Sequence, residues 1–593
     1  MTFASSPERG STTARPSNSF WLVSPAPKPP LRIGLLLDGV KLSRFFAKIV
    51  EDIRASNFAR LELLVFKKAS PSAKPEHKAG PKAFRALNRV LDSKMRKRLL
   101  YDEYVRLDKR MKASNHPLDQ VDCSEMFAGV DRIEVEPIGK KFIHRFPDDA
   151  LQQIRAKNLD VILRFGFNIL HGDILNVARY GVWSYHHGDN DFYRGGPPHF
   201  WEIYEGAPLS GVILQVLTEE LDAGVVLCKS LFATEQTLSV SRNRYPAYWG
   251  ATDLVIRKLN ELHQFGWDYL KQRSVAPEPY QGKRKIYRTP SNWDMARWLG
   301  PALLRKVVRY PLRREVVQHW RIGIRLNATK LLWEGGPSEN LDGFGWIEPP
   351  KGHFWADPFL VHHAGRPWLF FEDYSYAQKR AVISCAEIIE QGNLGIPVTC
   401  LDVENHHFSY PHIFQAGSDF YMIPESCDSK SIDLYRCEHF PNRWVHEATL
   451  FDGRFVDTTV WREADRWWLT TTRAEPDARS GTLFLFSSEV LTGEWQMHPC
   501  NPISTDIRSN RGAGRVFHAG NHLIRPSQSC SPIYGYSFSL NEITELSPEK
   551  YTQRLLKTVT PEYWKGLCAV HTYNVSGNVE VIDGATMTPR SQV

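Results

Sequence analysis

Between Ser184 and Gly196 the chain reads SYHHGDNDFYRGG. Two adjacent imidazoles, His186 and His187, are followed by the carboxylates Asp189 and Asp191, by Asn190, and by Tyr193 and Arg194. Imidazole is the side chain whose charge changes near neutral pH, and a carboxylate can hold it in one orientation. Such a set can manage protons at a reacting centre and stabilise a developing oxyanion. The same residue types also build ordinary hydrogen-bonded turns.

The elements that must position this loop are legible upstream. LRIGLLLDG (31–39) is an apolar run ending in Asp-Gly, the pattern of a buried parallel strand and its turn. Helical spacing follows in VKLSRFFAKIVEDIRASN, then a second strand, LELLVFKK (61–68). This β-α-β start predicts a doubly wound α/β sheet. No GxGxxG follows the first strand, which argues against a dinucleotide site. DVILRFGFNIL (160–170) reads as a strand and a glycine turn at Gly166, and GVWSYHH as the strand delivering the histidines.

Fifteen Lys and Arg fall between Lys67 and Lys112, and a second basic stretch runs from Arg305 to Arg325. Blocks of this kind form solvated helix faces or dock on phosphates or an anionic membrane surface. Residues 69–120 read as a basic insertion. A net charge of +8 over 593 residues does not call for nucleic acid. The nine cysteines form no CxxC pair, which excludes the usual zinc spacing and suggests reduced thiols in a cytoplasmic protein. Residues 1–30 lack an apolar core and read as a disordered leader.

The texture changes after about residue 335. Short alternating strands such as RPWLFFEDY, IDLYRCEHF and DRWWLTTTRAE follow one another. Five polar motifs lead them: WADPFL (355–360), SYPHIF (409–414), VDTTVW (456–461), RGAGRVF (511–517) and VHTYN (570–574). Their spacing is that of propeller blades. The expected domains are therefore a leader (1–30), an α/β domain (31–235), a helical connector (236–334) and a five-bladed β-propeller (335–593).

The stretch from Tyr180 to Leu227 resembles the formyltransferase family, which includes the methionyl-tRNA and amino-sugar enzymes. Tyr193-Arg194-Gly195, Pro198, Gly211-Val212 and Leu221-Asp222-Ala223-Gly224 stand in the family's order. The resemblance implies a Rossmann-like domain using 10-formyltetrahydrofolate, with His186 and Asp222 as the catalytic pair. Asp189, Asn190, Tyr193, Arg194 and Gly166 would contact substrate or border the folate pocket. Ser184 stands where the family has Asn, and His187 is an additional imidazole grouped with the catalytic residues.

The second half resembles the five-bladed propellers of furanosidases and other glycoside hydrolases, and the N-terminal domain of glucosamine inositolphosphorylceramide transferases. That resemblance implies Asp357 as a base, Glu425 as an acid and Asp457 as a third carboxylate. Arg511, Arg515, Arg525, Gln528 and His571 would line the same mouth. The function expected is formyl transfer to an amine, on an amino sugar, with a glycan bound or processed at the propeller. The alternative is a propeller-centred glycosidase or glycosyltransferase beside an inactive formyltransferase-like domain. Expected partners are the amine substrate, a glycan and a peripheral membrane contact through the basic helices; neither nucleic acid nor a metal is expected.

Overall fold

The computed structural model describes residues 19–68, 97–139, 143–220, 224–235, 237–276, 278–309, 316–336, 338–339, 341–426, 429–474 and 481–593. The chain divides into two compact units, one ending at Pro311 and the other beginning at Leu312. Among the described residues no helix is long and apolar enough to cross a membrane.

The first unit is built on a seven-stranded sheet. Its strands are β1 (Leu31–Leu37), β2 (Ala59–Lys67), β3 (Asp131–Val135), β4 (Val161–Arg164), β5 (Val182–His186), β6 (Leu209–Val216) and β7 (Val225–Ala233), in the order β7-β6-β5-β4-β1-β2-β3. The five from β5 to β3 run parallel, and β6 and β7 are antiparallel. The chain lays down β1, β2 and β3 in one direction and then returns past β1 to add β4 and β5. The reversal opens a crevice at the carboxyl ends of β1 and β4, where ligands of such sheets bind.

Helix α1 (Arg44–Ala55) starts at Ser43, whose Oγ accepts from Phe46 N at 3.3 Å. It buries Phe45, Ile49, Val50 and Ile53 completely against the sheet, each contributing roughly 1.5–3 kcal/mol. Helix α2 (Leu99–Asp108), the described end of the basic insertion, packs against the helix Asn292–Arg309; residues 69–96 lie outside the described residues.

Two expected boundaries move. Residues 19–30 are not a free leader: Trp21 is buried, Asn260 Nδ2 donates to Trp21 O at 2.9 Å, and Ser24 Oγ shares a 2.7 Å hydrogen bond with His263 Nδ1. Residues 236–334 are not a connector either. Helix Asp253–Phe265 is buried along almost its whole length in the first unit, and Val316–Arg325 is a propeller strand.

The second unit is a five-bladed propeller. Blade I comprises His353–His363, Arg366–Ser375, Arg380–Glu387 and Val398–Leu401; blade II, Ser409–Ala416, Asp419–Glu425, Ser431–His439 and Arg443–Asp452. Blade III comprises Phe455–Glu463, Arg466–Ala474, Gly481–Ser488 and Gln496–Met497. In blade IV the inner strand is split into Arg511–Gly512 and Phe517–Ala519, followed by His522–Ser529, Ser537–Leu546 and Tyr551–Val559. Blade V closes the ring from both ends of the unit: Tyr573–Ser576 and Val579–Pro589 pair with Val316–Arg325 and Gly345–Ile347.

At the last step of that closing ladder, Arg325 Nε donates to Glu580 Oε2 at 2.7 Å. Glu580 is fully buried and also accepts from Leu332 N (2.6 Å) and the Tyr573 hydroxyl (2.8 Å). Removing one partner of a buried pair strands the other charge, at about 3–5 kcal/mol. Glu580→Ala therefore lowers the propeller's stability by about that amount in urea unfolding, and an unchanged midpoint would show that Arg325 finds another counter-charge.

Candidate functional sites

The carboxyl end of β5 carries the first cluster. Ser184, Tyr185 and His186 are buried, and His186 Nε2 donates to Tyr193 O at 2.8 Å. That bond folds the loop back over the imidazole and fixes Nε2 as its donor. Ser184 Oγ accepts from Arg164 Nε at 3.0 Å and donates to Tyr185 O at 3.1 Å. The half-buried guanidinium of Arg164 thus stands next to the position where the formyltransferases carry Asn. At the crevice, Gly166 packs so closely on Asp38 that a Cβ there would lie 2.4 Å from the Asp38 amide nitrogen. Asp38 Oδ1 in turn accepts from Phe167 N at 2.9 Å.

Lys229 on β7 organises the loop. Its ammonium lies 2.7 Å from Asp189 Oδ1 and also pairs with Asp191 Oδ2. Burial pulls the Lys229 pKa down, but the two carboxylates more than offset it and hold the lysine charged. Gly211 on β6 lets the loop pass: a Cβ there would sit 2.7 Å from Asp189 N. Gly195, at φ 94°, lies so close to Tyr287 that a Cβ there would fall 2.4 Å from Tyr287 O. Arg194 donates to Asn190 O at 3.0 Å and lies 4.7 Å over the Tyr280 ring. Tyr193 OH reaches Glu205 at 3.3 Å.

His187, expected with the catalytic residues, points elsewhere. Its ring stacks on Tyr248 at 3.8 Å and 12°, and burial lowers its pKa well below the usual imidazole value. It is a neutral part of an aromatic stack. Asp222, the expected partner of His186, lies outside the described residues. Sequence reasoning also passed over three atoms around a cavity of about 10 Å³, the size of one water: His187 Nδ1, His199 Nδ1 and Glu202 Oε1 are buried without hydrogen-bond partners. Burial raises the Glu202 pKa to about 8, so it is largely protonated at pH 7.

The propeller carries the second cluster. The inner strands of blades I, II and III each break register at one place, and there Asp357 (φ 50°), Tyr410 (φ 44°) and Asp457 (φ 51°) adopt left-handed backbone. Each costs of order 1–3 kcal/mol and persists only where the surroundings fix it. Asp357 Oδ1 accepts from Thr572 Oγ1 (2.8 Å) and Oδ2 from Tyr410 N (3.2 Å). Asp583, which the sequence gave no reason to single out, accepts from Asp357 N, His571 N and Thr572 N at 3.0, 3.0 and 2.9 Å, and pairs with His571 Nδ1 at 2.7 Å. His571 Nε2 lies 3.6 Å from Asp357 Oδ1. Together the three form a relay, Asp583–His571–Asp357.

Their donor atoms lie within 4.8 Å of one another, a spacing that could hold a cation. The imidazolium already supplies positive charge there. Burial opposes it, but Asp583 and Asp357 more than compensate and raise the His571 pKa to about 9. Burial raises the Asp357 pKa to about 6, and burial with Asp457 raises Glu425 to about 8. Glu372, buried among the same acids, is raised well above the carboxylate range.

Asp457 is bound by Arg511 through both carboxylate oxygens (2.5 and 3.1 Å) and accepts from Gln528 at 3.2 Å. Arg515 does not line the mouth; it donates to Leu360 O and Ile413 O, both at 2.7 Å, and ties two inner strands together. Arg525 is likewise internal to blade IV, bonded to Gln553 Oε1 and Ser509 O. The sequence shows that these arginines follow inner-strand motifs, but not which way they turn.

Residues 349–574 match the family model described as glucosamine inositolphosphorylceramide transferase 1, N-terminal. The protein of that name from Oryza sativa subsp. japonica is 33% identical over 209 residues, 34% of this chain and 28% of the rice protein. The match therefore spans about 28% of the length of that curated relative. Methionyl-tRNA formyltransferase of Synechococcus sp. (strain WH7803) is 38% identical over 95 residues, 16% of this chain and 26% of that protein. Among solved structures, glycinamide ribonucleotide transformylase 1 from Symbiobacterium toebii is similar at 13% identity, with a TM-score of 0.26, over 44% of this chain and 95% of its own. The chain joins a formyltransferase-like region to a five-bladed propeller similar to the N-terminal domain of the ceramide transferases.

The relay gives a pH signature. His571 binds its proton more tightly folded (about 9) than unfolded (about 6.5), so its contribution is complete below pH 6.5 and is lost as pH rises through 9. The thermal-stability gap between the parent and His571→Gln should therefore narrow from pH 6.5 to pH 10. A constant gap would mean that His571 is not held as the cation.

Proposed function

We propose that the first unit transfers a formyl group from 10-formyltetrahydrofolate to the amine of an amino sugar. The observation that carries this reading is His186 at the carboxyl end of β5, with the Tyr193-Arg194-Gly195 loop fastened over it. The polar groups present suit such a donor: the Arg164 guanidinium at the end of β4, and Asn190 Oδ1, buried without a hydrogen-bond partner. When bound, the carrier supplies the formyl carbon, whose oxygen gains negative charge as the amine adds to it. Arg164, held on Ser184, takes over the donor role of the family's Asn, and a charged donor suits a developing oxyanion better than a hydroxyl. His186 accepts the proton released by the amine and passes it to the carrier nitrogen as the bond from that nitrogen to the formyl carbon breaks.

The test is to incubate the purified chain with 10-formyltetrahydrofolate and a panel of nucleotide-linked and free amino sugars, with mass detection of the formylated product. His186→Ala should reduce the rate about 10²–10⁴-fold, the usual range for a general acid–base group. No product from any acceptor would falsify the reading.

A second activity, at the propeller, is favoured by one observation. Glu425 and Asp357 belong to one cluster but hold their protons to about pH 8 and about pH 6. Carboxyls pushed apart in this way divide into acid and base, as cleavage of a glycosidic bond requires. Turnover of a chromogenic glycoside should rise with pH through about 6 as Asp357 ionises and fall through about 8 as Glu425 loses its proton. Glu425→Gln should remove the upper limb along with most of the rate. A flat profile, or a rate unaffected by that substitution, leaves the propeller as a glycan-binding module.

A further inference from the structure

A cavity of about 370 Å³ lies in the first unit, at the side of the sheet where the described end of the basic insertion packs. Its size falls within the range of small-ligand sites. Tyr101 and Tyr104 of α2 form one wall, and Lys109, Lys112, His116 and Arg244 surround it. The two acids of the lining are committed elsewhere. Asp108 accepts from Ser239 Oγ, Ser241 N and Ser241 Oγ at 2.5, 2.8 and 2.7 Å, capping the helix Val240–Trp249. Asp119 pairs with Lys112 at 2.6 Å. His116 is neutral, because burial lowers its pKa.

Arg244 and Lys109 remain as positive charges that no carboxylate among the described residues pairs with. Arg244 donates through Nε and Nη2 to Pro198 O, at 3.1 and 2.8 Å, and hydrogen-bonds the Tyr101 hydroxyl. A concave wall of phenol rings with cations converging from two segments of chain fits an oxyanion attached to a hydroxylated or flat body.

We propose that this cavity binds the phosphate group of a small phosphorylated ligand. Arg244 and Lys109 face the phosphate oxygens, Lys112 stays paired with Asp119 at the rim, and Tyr101 meets the body of the ligand. The site also touches the first cluster through the chain. Arg244 holds the Pro198 carbonyl of the Gly195-Gly196-Pro197-Pro198 loop, and Tyr248, one turn further along the same helix, stacks on His187. An occupant would bear on the loop that covers His186. The proposal does not depend on formyl transfer, since binding is read without any carrier present.

Calorimetric titration of the full chain with inorganic phosphate, glucosamine 6-phosphate and glucosamine tests it. At least one phosphate-bearing probe should bind and glucosamine should not, with affinity falling as salt is raised. The charge reversal Lys109→Glu should weaken binding at least tenfold while its melting temperature stays at that of the parent. An ester at least tenfold tighter than inorganic phosphate identifies a phosphorylated metabolite as the ligand, and equal affinities identify free phosphate. Failure of both phosphate probes to bind, or undiminished binding in Lys109→Glu, overturns the proposal.

Discussion

The carboxylate of Asp583 has no solvent exposure and accepts from three backbone amides and an imidazole. One of those amides belongs to Asp357 in blade I, and the rest of the set to the approach to blade V. A propeller must hold its first and last blades together without a covalent link. Here the hydrogen-bonded strands Val316–Arg325 and Val579–Pro589 do this along the blade, and Asp583 does it at the axis. The same four bonds fix His571 against Trp320, at 4.1 Å, and hold the left-handed turn that presents the Asp357 side chain. Closure of the ring and assembly of the acidic cluster are thus one event, because the carboxylate that latches the blades also orients the imidazole facing Asp357.

The first unit meets the same requirement with the signs reversed. Asp189 and Asp191 lie in a loop crossing the sheet edge, and their charge is tolerable only because Lys229 rises from β7 between them. The glycines of the region then acquire a physical reason. Gly211 clears the backbone of Asp189, Gly195 clears Tyr287, and a Cβ at Gly224 would fall 2.0 Å from Val216 O. The family pattern of Arg-Gly, Gly-Val and Asp-x-Gly records where backbones cross, as much as where chemistry occurs.

This explains how much could be read from sequence. The parallel sheet, the blade repeat and the loop around His186 were legible because they rest on local signals: apolar runs, alternation and glycine spacing. What escaped was long-range pairing. Lys229 is a lone charge within VVLCKSLF, and Asp583 one of two acids within VEVIDGA; neither stretch says which loop will approach it. Residues 236–334 read as a connector because Pro-bounded helices carry no marker of what they pack on. Val316–Arg325 read as a basic stretch because its partner strand lies some 260 positions away, at the other end of the unit. Side-chain direction was equally hidden: Arg511, Arg515 and Arg525 look alike in sequence, yet Arg511 meets an acid and Arg515 meets carbonyls.

The propeller's centre also limits what its carboxylates can do. Tyr410 occupies in blade II the left-handed position that Asp357 and Asp457 hold in blades I and III. Its hydroxyl reaches across to Thr459 Oγ1 (2.9 Å), accepts from Gly514 N (2.9 Å) and donates to Gly514 O (3.2 Å). A phenol therefore spans the space in which a third acid would stand. Arg511 binds both oxygens of Asp457, so that carboxylate is committed to an ion pair. Its negative charge still helps Glu425 retain a proton. Asp357 and Glu425 then form a pair that differs in protonation near neutral pH, and the relay behind Asp357 sets one side of that difference.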